Sequence, residues 1–244
     1  MNVLITDSFR GDAQHILEKI KKGENFSLAR TGDGELSIIS NKFIDLTSKK
    51  NGEFKFDPND ETDEFYRAEL IKSHRYSHDE YYMGISCPCC EAKHKVEWMR
   101  STVGTKKLTW ANLFVNGNYN FFLEKYIPEL QKRRTVMVCN RKSNIDLLPF
   151  KVKKTFFVGT NSYKEDYEVL GEIKKYIADE DVRDYVFILC AGPLSNILAY
   201  RLFDFNKNNT YIDCGSVFDP LMGLGKTRGY HNESFNTRNK NCIW

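Results

Sequence analysis

The sequence predicts an α/β protein built on a mainly parallel, Rossmann-like sheet with helices on both faces. Two observations predict it. Four short runs in the second half, TVMVC (135–139), KTFFVG (154–159), DYVFILC (184–190) and TYIDC (210–214), are largely apolar and rich in β-branched and aromatic residues. Strands covered on both faces read this way, because neither face is available to polar side chains. Between these runs lie segments with helical spacing, at 163–178 and 193–203. Strands that alternate with helices are the signature of parallel crossovers.

The first half continues the alternation. Ala13, Ile16, Leu17 and Ile20 share one helical face and predict a helix over 12–22. FSLAR (26–30) reads as a short strand that runs into a turn at Gly32 and Gly34, and YYMGIS (81–86) as another strand. Helices are expected over 61–74 and 91–100. The acid-rich stretch 49–64 reads as a surface loop leading into the first of these. Residues 231–244 are polar and aperiodic and read as a loose C-terminal tail. At 244 residues, with no internal repeat and no linker-like stretch, the chain is expected to form one domain, 1–244.

Composition narrows the function. The net charge is only +3, with the basic residues scattered, which gives no case for nucleic-acid binding. No run approaches the ~18 apolar residues of a membrane span. The first residues, MNVLITDSFRGD, lack the apolar core of a secretion signal. The cysteines number seven, an odd count, and Cys139, Cys190 and Cys214 fall inside strand-like runs. Reduced thiols in a cytoplasmic setting fit this better than a disulfide framework.

In doubly covered parallel sheets, ligands bind at the carboxyl ends of the strands, where glycine turns open the helices. Three turns qualify: after Arg30, after Cys190 and after Cys214. The first reads Arg30-Thr31-Gly32-Asp33-Gly34-Glu35. Two carboxylates flank one glycine, so the backbone can turn both toward one point. Mg²⁺ and Mn²⁺ take such oxygen donors together with water and substrate phosphates, and Arg30 offers a cation for a diphosphate. The alternative is a plain helix start with an acidic cap and Glu35 in the first turn. The second turn places Gly192 before Pro193, a residue suited to the first position of a helix, whose N-terminus favours phosphate oxygens. In the third, Asp213 lies within the strand and Asp219 in the turn beyond it. Either is a candidate third carboxylate, and Asp219 is the candidate base for an acceptor hydroxyl.

Other patterns carry less. Gly223-Leu-Gly-Lys-Thr227 lacks the first glycine of a P-loop, since Pro220 stands there. Cys87-Pro88-Cys89-Cys90, with His94 following, has C-x-C-C spacing and no second knuckle. It reads as a strand-end turn with partly buried thiols, with structural zinc as the alternative. Tyr81, Tyr82, Trp98, Trp110 and Phe114 read as aromatic core, with sugar stacking as the alternative.

Five blocks, in order, resemble the bacterial glycosyltransferases of the GT-D fold, first catalogued as a domain of unknown function. They are LARTGDGELSII (28–39), VMVCNRKSNIDLLPF (136–150), FVGTNSYKEDYEVLGEIK (157–174), LCAGPLSNILAYRL (189–202) and TYIDCGSVFDPLMG (210–223). The first matches that family's R-x-G-D-G-E segment with its D-x-E metal motif. The resemblance implies a Mn²⁺- or Mg²⁺-dependent transfer of a hexose from a UDP-sugar to a glycan or glycoconjugate hydroxyl. It carries over Asp33 and Glu35 as the metal pair, and Arg30, Gly32, Asn161, Gly192 and Pro193 as the nucleotide-sugar pocket. A His often found in the turn after the last strand is replaced here by Gly-Ser-Val-Phe (215–218). Residues 86–120 match only loosely, so the acceptor is not implied; a homodimer stays open. Two readings of other classes remain: a non-catalytic nucleotide- or sugar-binding module, and a zinc-stabilised interaction protein.

Overall fold

A computed structural model describes residues 3–4, 8–48 and 54–232. Among the described residues the strands are β1 (Val3–Leu4), β2 (Ser27–Thr31), β3 (Ile44–Asp45), β4 (Lys55–Phe56), β5 (Tyr81–Ile85), β6 (Lys107–Trp110), β7 (Arg134–Asn140), β8 (Val152–Val158), β9 (Tyr185–Leu189) and β10 (Thr210–Asp213). Eight form one sheet in the order β1-β6-β5-β2-β10-β9-β7-β8, and every neighbouring pair is parallel. Strands β3 and β4 make a separate antiparallel ribbon. The helices are α1 (Phe9–Lys22), α2 (Asp33–Ile39), α3 (Glu61–Arg75), α4 (Lys93–Thr102), α5 (Tyr119–Phe121), α6 (Ile127–Leu130), α7 (Ser162–Glu165), α8 (Val169–Asp179) and α9 (Pro193–Phe205). None is long and apolar enough to cross a membrane.

Alternate residues of each central strand enter opposite cores, which is why the runs are apolar throughout. Val136, Val138, Phe187, Leu189 and Tyr211 face one core with α3, α8 and α9. Met137, Cys139, Val186, Ile188 and Ile212 face the other with α1. Helix α9 is buried along nearly its whole length. Local chemistry sets the helix ends: Ser8 accepts the Gly11 N–H at the start of α1, and Gly23 closes it at φ 72°.

The chain steps outward from β2 to β5 and β6, then crosses to build β7, β8 and β9. It returns last to place β10 between β9 and β2. The direction of winding therefore reverses beside β2 and β10, which opens a crevice at their carboxyl ends.

Three expectations are corrected. The helix expected over 163–178 is two helices, because Asp166 turns its carboxylate back to the Gly159 N–H (2.7 Å) and Arg141 (2.7 Å) and leaves helical geometry. The stretch 49–64 is more than a surface loop, since Phe54 and Phe56 are buried and Phe56 belongs to the ribbon. The tail cannot begin at 231, because Tyr230 and His231 are buried; residues 233–244 lie outside the described residues.

Two glycines separate packing from propensity. A Cβ on Gly104 would overlap the backbone carbonyl of Arg75, whereas one on Gly171, exposed in α8, meets no atom within 4 Å. Gly104→Ala is expected to cost about 2–3 kcal/mol through overpacking. Gly171→Ala should stabilise by about 0.5–1 kcal/mol through helix propensity. Urea unfolding midpoints at constant m-value measure both.

Candidate active site

An ion pair joins the neighbouring strands β2 and β10 near their carboxyl ends. Arg30 Nη2 lies 2.9 Å from Asp213 Oδ1, with both side chains largely buried. Arg30 Nη1 donates to the Ala111 carbonyl beyond β6 (2.9 Å), and Asn196 Nδ2 of α9 donates to the Arg30 carbonyl (2.9 Å). The Gly215 N–H completes the set by donating to Asp213 Oδ1 at 3.0 Å. Residue 215 must be glycine on two counts: its φ is 53°, and a Cβ would run into the Arg30 guanidinium. Burial works against the charge on Arg30, but Asp213 more than offsets it and its pKa rises. Burial likewise raises the proton affinity of Asp213, and Arg30 pulls it back toward ionisation.

The acidic turn sits at the end of β2. Gly32 is the N-cap of α2, and Glu35 Oε2 accepts the Gly32 N–H at 3.0 Å, as in a capping box. A Cβ on Gly34 would come within 2.7 Å of the Phe54 ring, so glycine lets the buried Phe54 pack against the turn. Asp33 is exposed, and its carboxylate is left to solvent. Glu35 is half-buried, and its pKa is raised to about 7. Burial is the main cause; the Asp213 and Asp33 carboxylates add to it, and Arg30 opposes it. The structure shows the capping reading of this turn directly, and Glu35 is at the same time an acid whose ionised form burial and the nearby carboxylates disfavour.

That imbalance fits a hard cation. Asp33 and Glu35 offer only oxygen, the donor Mg²⁺ and Mn²⁺ prefer. A positive ion would reverse the penalty on the ionised form of Glu35. Among the described residues no group of three carboxylates converges into a closed cage. An ion held by one or two carboxylates takes its other ligands from water and phosphate, so the turn's chemistry is compatible with such an ion.

The remaining predicted residues fall into two groups. Gly192 has φ 55°, is exposed, and has nothing within 4 Å of its missing Cβ. It opens α9, with Pro193 buried at the first helical position. Asn161 also has a left-handed backbone, at φ 57°, and its Oδ1 accepts the Lys55 N–H at 3.0 Å. Ser162 then bonds the Ala191 carbonyl (2.8 Å), which ties this turn to the Gly192 turn. Asp219 lies beyond β10, close enough that Cys190 feels both its charge and that of Asp213. The Thr227 hydroxyl donates to Asp219 Oδ2 at 2.5 Å, and the Asp219 charge is felt by Cys139 and Cys190 near the ends of β7 and β9. Gly223 and Gly225 turn this loop at φ 76° and 80° and cradle no phosphate-type nest before a helix.

Sequence reasoning offered Arg30 as a diphosphate cation, whereas its guanidinium is occupied by Asp213 and Ala111. It also missed Asn196. A signal existed for Asp213, because a charge inside a continuous apolar strand requires a partner. The partner lies 183 residues away in the chain. Of the five aromatic residues, Tyr81, Tyr82, Trp110 and Phe114 are core, and only Trp98, 39% exposed and stacked on His74, reaches the surface.

Fold and site together define a parallel α/β protein with an acidic turn at its topological switch point. Its fold is similar to solved structures of domain of unknown function 1792 (DUF1792). One, in selenomethionine form, matches with a TM-score of 0.54 at 15% identity, over 95% of this chain and 88% of that chain. A second, described as having a distinct glycosyltransferase fold, matches with a TM-score of 0.54 at 14% identity and the same coverage. The chain thus has the glycosyltransferase fold that the sequence resemblance implied. No family model matches the sequence, and no curated protein matches it.

Two substitutions check the electrostatics. Asp213→Ala strands the Arg30 charge and is expected to cost about 3–5 kcal/mol in urea unfolding. Glu35→Gln keeps an acceptor for the Gly32 N–H. Because the folded pKa of Glu35 lies above its ordinary 4.5, its contribution to stability is present below that pH and lost as pH rises through about 7. With chelator present, the variant should therefore match wild type near pH 4 and exceed it in Tm at pH 8.

Proposed function

We propose that the protein is a metal-dependent glycosyltransferase that moves a hexose from a UDP-sugar to a hydroxyl of a glycan or glycoconjugate. The observation that carries this reading is the uncompensated carboxylate of Glu35, beside Asp33, at the switch point of a glycosyltransferase fold. Asp33 and Glu35 would hold Mn²⁺ or Mg²⁺. Such an ion supplies charge stabilisation to a departing diphosphate. Gly192 gives backbone access to the nucleotide-sugar at the N-terminus of α9, whose dipole favours the phosphates. Pro193 sets that helix start, while Gly32 and Asn161 shape the flanking turns. Arg30 contributes from below, by fixing Asp213 and the end of β2. As the bond from the sugar to the diphosphate breaks, UDP leaves with the electron pair and the acceptor oxygen bonds the same carbon. Asp219, oriented by Thr227, takes the acceptor proton.

The test is a screen of UDP-sugars for hydrolysis and transfer with Mn²⁺, comparing wild type with Asp33→Ala and Glu35→Ala. Wild type should turn over at least one donor, and each variant should lose about 100-fold or more in kcat/KM. No binding or turnover of any donor, or full activity in both variants, would sink the proposal; binding without turnover would leave a sugar-nucleotide-binding module. Asp219→Asn should lower kcat and leave donor KM unchanged. An unaltered rate removes Asp219 from the role of base.

A further inference from the structure

The turn that follows β5 gathers three sulfur atoms that the candidate active site does not use. Cys87 is fully buried, whereas Cys89 and Cys90 are exposed, yet the three Sγ atoms all lie within 4.8 Å of one another. The backbone wraps to achieve this. The N–H groups of Cys90 and Glu91 both donate to the Cys87 carbonyl, at 3.1 and 3.0 Å, and bring the C-x-x-C pair onto one side of the turn. Pro88 holds the intervening φ. From the end of β6, Asn112 Nδ2 points at two of the sulfurs, 3.6 Å from Cys87 Sγ and 3.3 Å from Cys90 Sγ. An N–H donated to sulfur favours the thiolate, the form that binds metal, and it fixes the direction of the ligand.

We propose that Cys87, Cys89 and Cys90 bind one zinc ion, or a comparably thiophilic ion, as a site built on three thiolates. Tetrahedral zinc with Zn–S bonds of ~2.3 Å sets its sulfurs ~3.8 Å apart, inside the spread seen here. Cys87 and Cys89 Sγ stand 2.8 Å apart, beyond a disulfide bond of ~2.05 Å. Cys89 is exposed, so its side chain is not locked in the core. A disulfide would use two of the sulfurs, whereas the Asn112 contacts link Cys87 to Cys90, so all three are held in one arrangement. The site is a staple. It would close the turn at the end of β5, next to β2, where Ser86 Oγ already reaches the Thr31 carbonyl at 3.4 Å. It does not depend on the proposed transferase activity.

The full chain, purified under reducing conditions and dialysed, should retain about one zinc per chain by elemental mass spectrometry. Titration with Cd²⁺ should give the ultraviolet thiolate-to-cadmium absorption. Cys89→Ser/Cys90→Ser should abolish that band and lower zinc affinity about 100-fold or more, and Asn112→Ala should weaken it about 10- to 100-fold. Cys190→Ser, which removes a thiol outside the cluster, should change neither. Far-ultraviolet circular dichroism verifies folding, and the Asn112 variant serves if the double mutant fails to fold. The proposal is overturned if the reduced protein retains no zinc and shows no cadmium band. It is equally overturned if the double mutant binds as wild type does, or if peptide mapping of freshly isolated protein finds Cys87 disulfide-bonded to Cys89 or Cys90.

Discussion

The buried ion pair between Arg30 and Asp213 is the constraint on which the carboxyl edge of the sheet depends. It joins β2, the first strand of the centre, to β10, the last strand laid down, and it uses most of the polar reach of the surrounding loops. Ala111, Asn196 and Gly215 each direct a backbone or amide group at one partner or the other. Replacing a buried pair with apolar side chains is often neutral or stabilising, so net stability is a weak reason for its presence. Its electrostatic effect is more informative. Because Arg30 is matched one-to-one by Asp213, it has little charge left to offset Glu35, and the acidic turn stays electrically unbalanced.

That imbalance explains why local pattern reading was ambiguous at this turn. A capping box places Glu three residues after the N-cap, and a D-x-E pair places Glu two residues after Asp. The segment Gly32-Asp33-Gly34-Glu35 satisfies both spacings at once. The Gly32 N–H takes one Glu35 oxygen, so the cap is real. It does not exclude a ligand role, because burial and the Asp213 charge act on Glu35 from outside the turn.

The same division between local and distant information runs through the fold. The strands β7, β9 and β10 were legible because both faces are buried and the runs stay largely apolar. The edge strand β8 was legible from its Thr-Phe-Phe-Val run, although Lys153, Lys154 and Phe157 are exposed. Helix α1 was legible over 12–22 from its single apolar face, while its first turn from Phe9, capped by Ser8, was not. Strand β6 was not, since KLTW is four residues long with a lysine at its start. Nor was the ribbon, whose two-residue strand β4 contributes the buried Phe56 and the Lys55 backbone that holds Asn161 and Tyr163. Of the candidate site, the acidic turn and the Gly192 turn were readable as local chemistry. The attachment of Arg30 to Asp213, the anchoring of Asn161 to Lys55, and the convergence of Asn112 on two cysteines were not. Each links chain segments far apart in sequence, and only strand order brings them together.

Strand order also brings together two donor sets of opposite chemical character. Strands β2 and β5 are neighbours, with Thr31 paired to Ile85. One ends in carboxylates and the other runs into thiols. Oxygen donors without sulfur select poorly for zinc over other divalent ions by affinity alone, whereas thiolates discriminate strongly against magnesium and manganese. A thiophilic ion would therefore go first to the β5 cysteines, and a hard ion would not enter the cysteine turn. Loss of any Mn²⁺-dependent turnover would then report on the β2 turn, and loss of a cadmium band on the β5 turn.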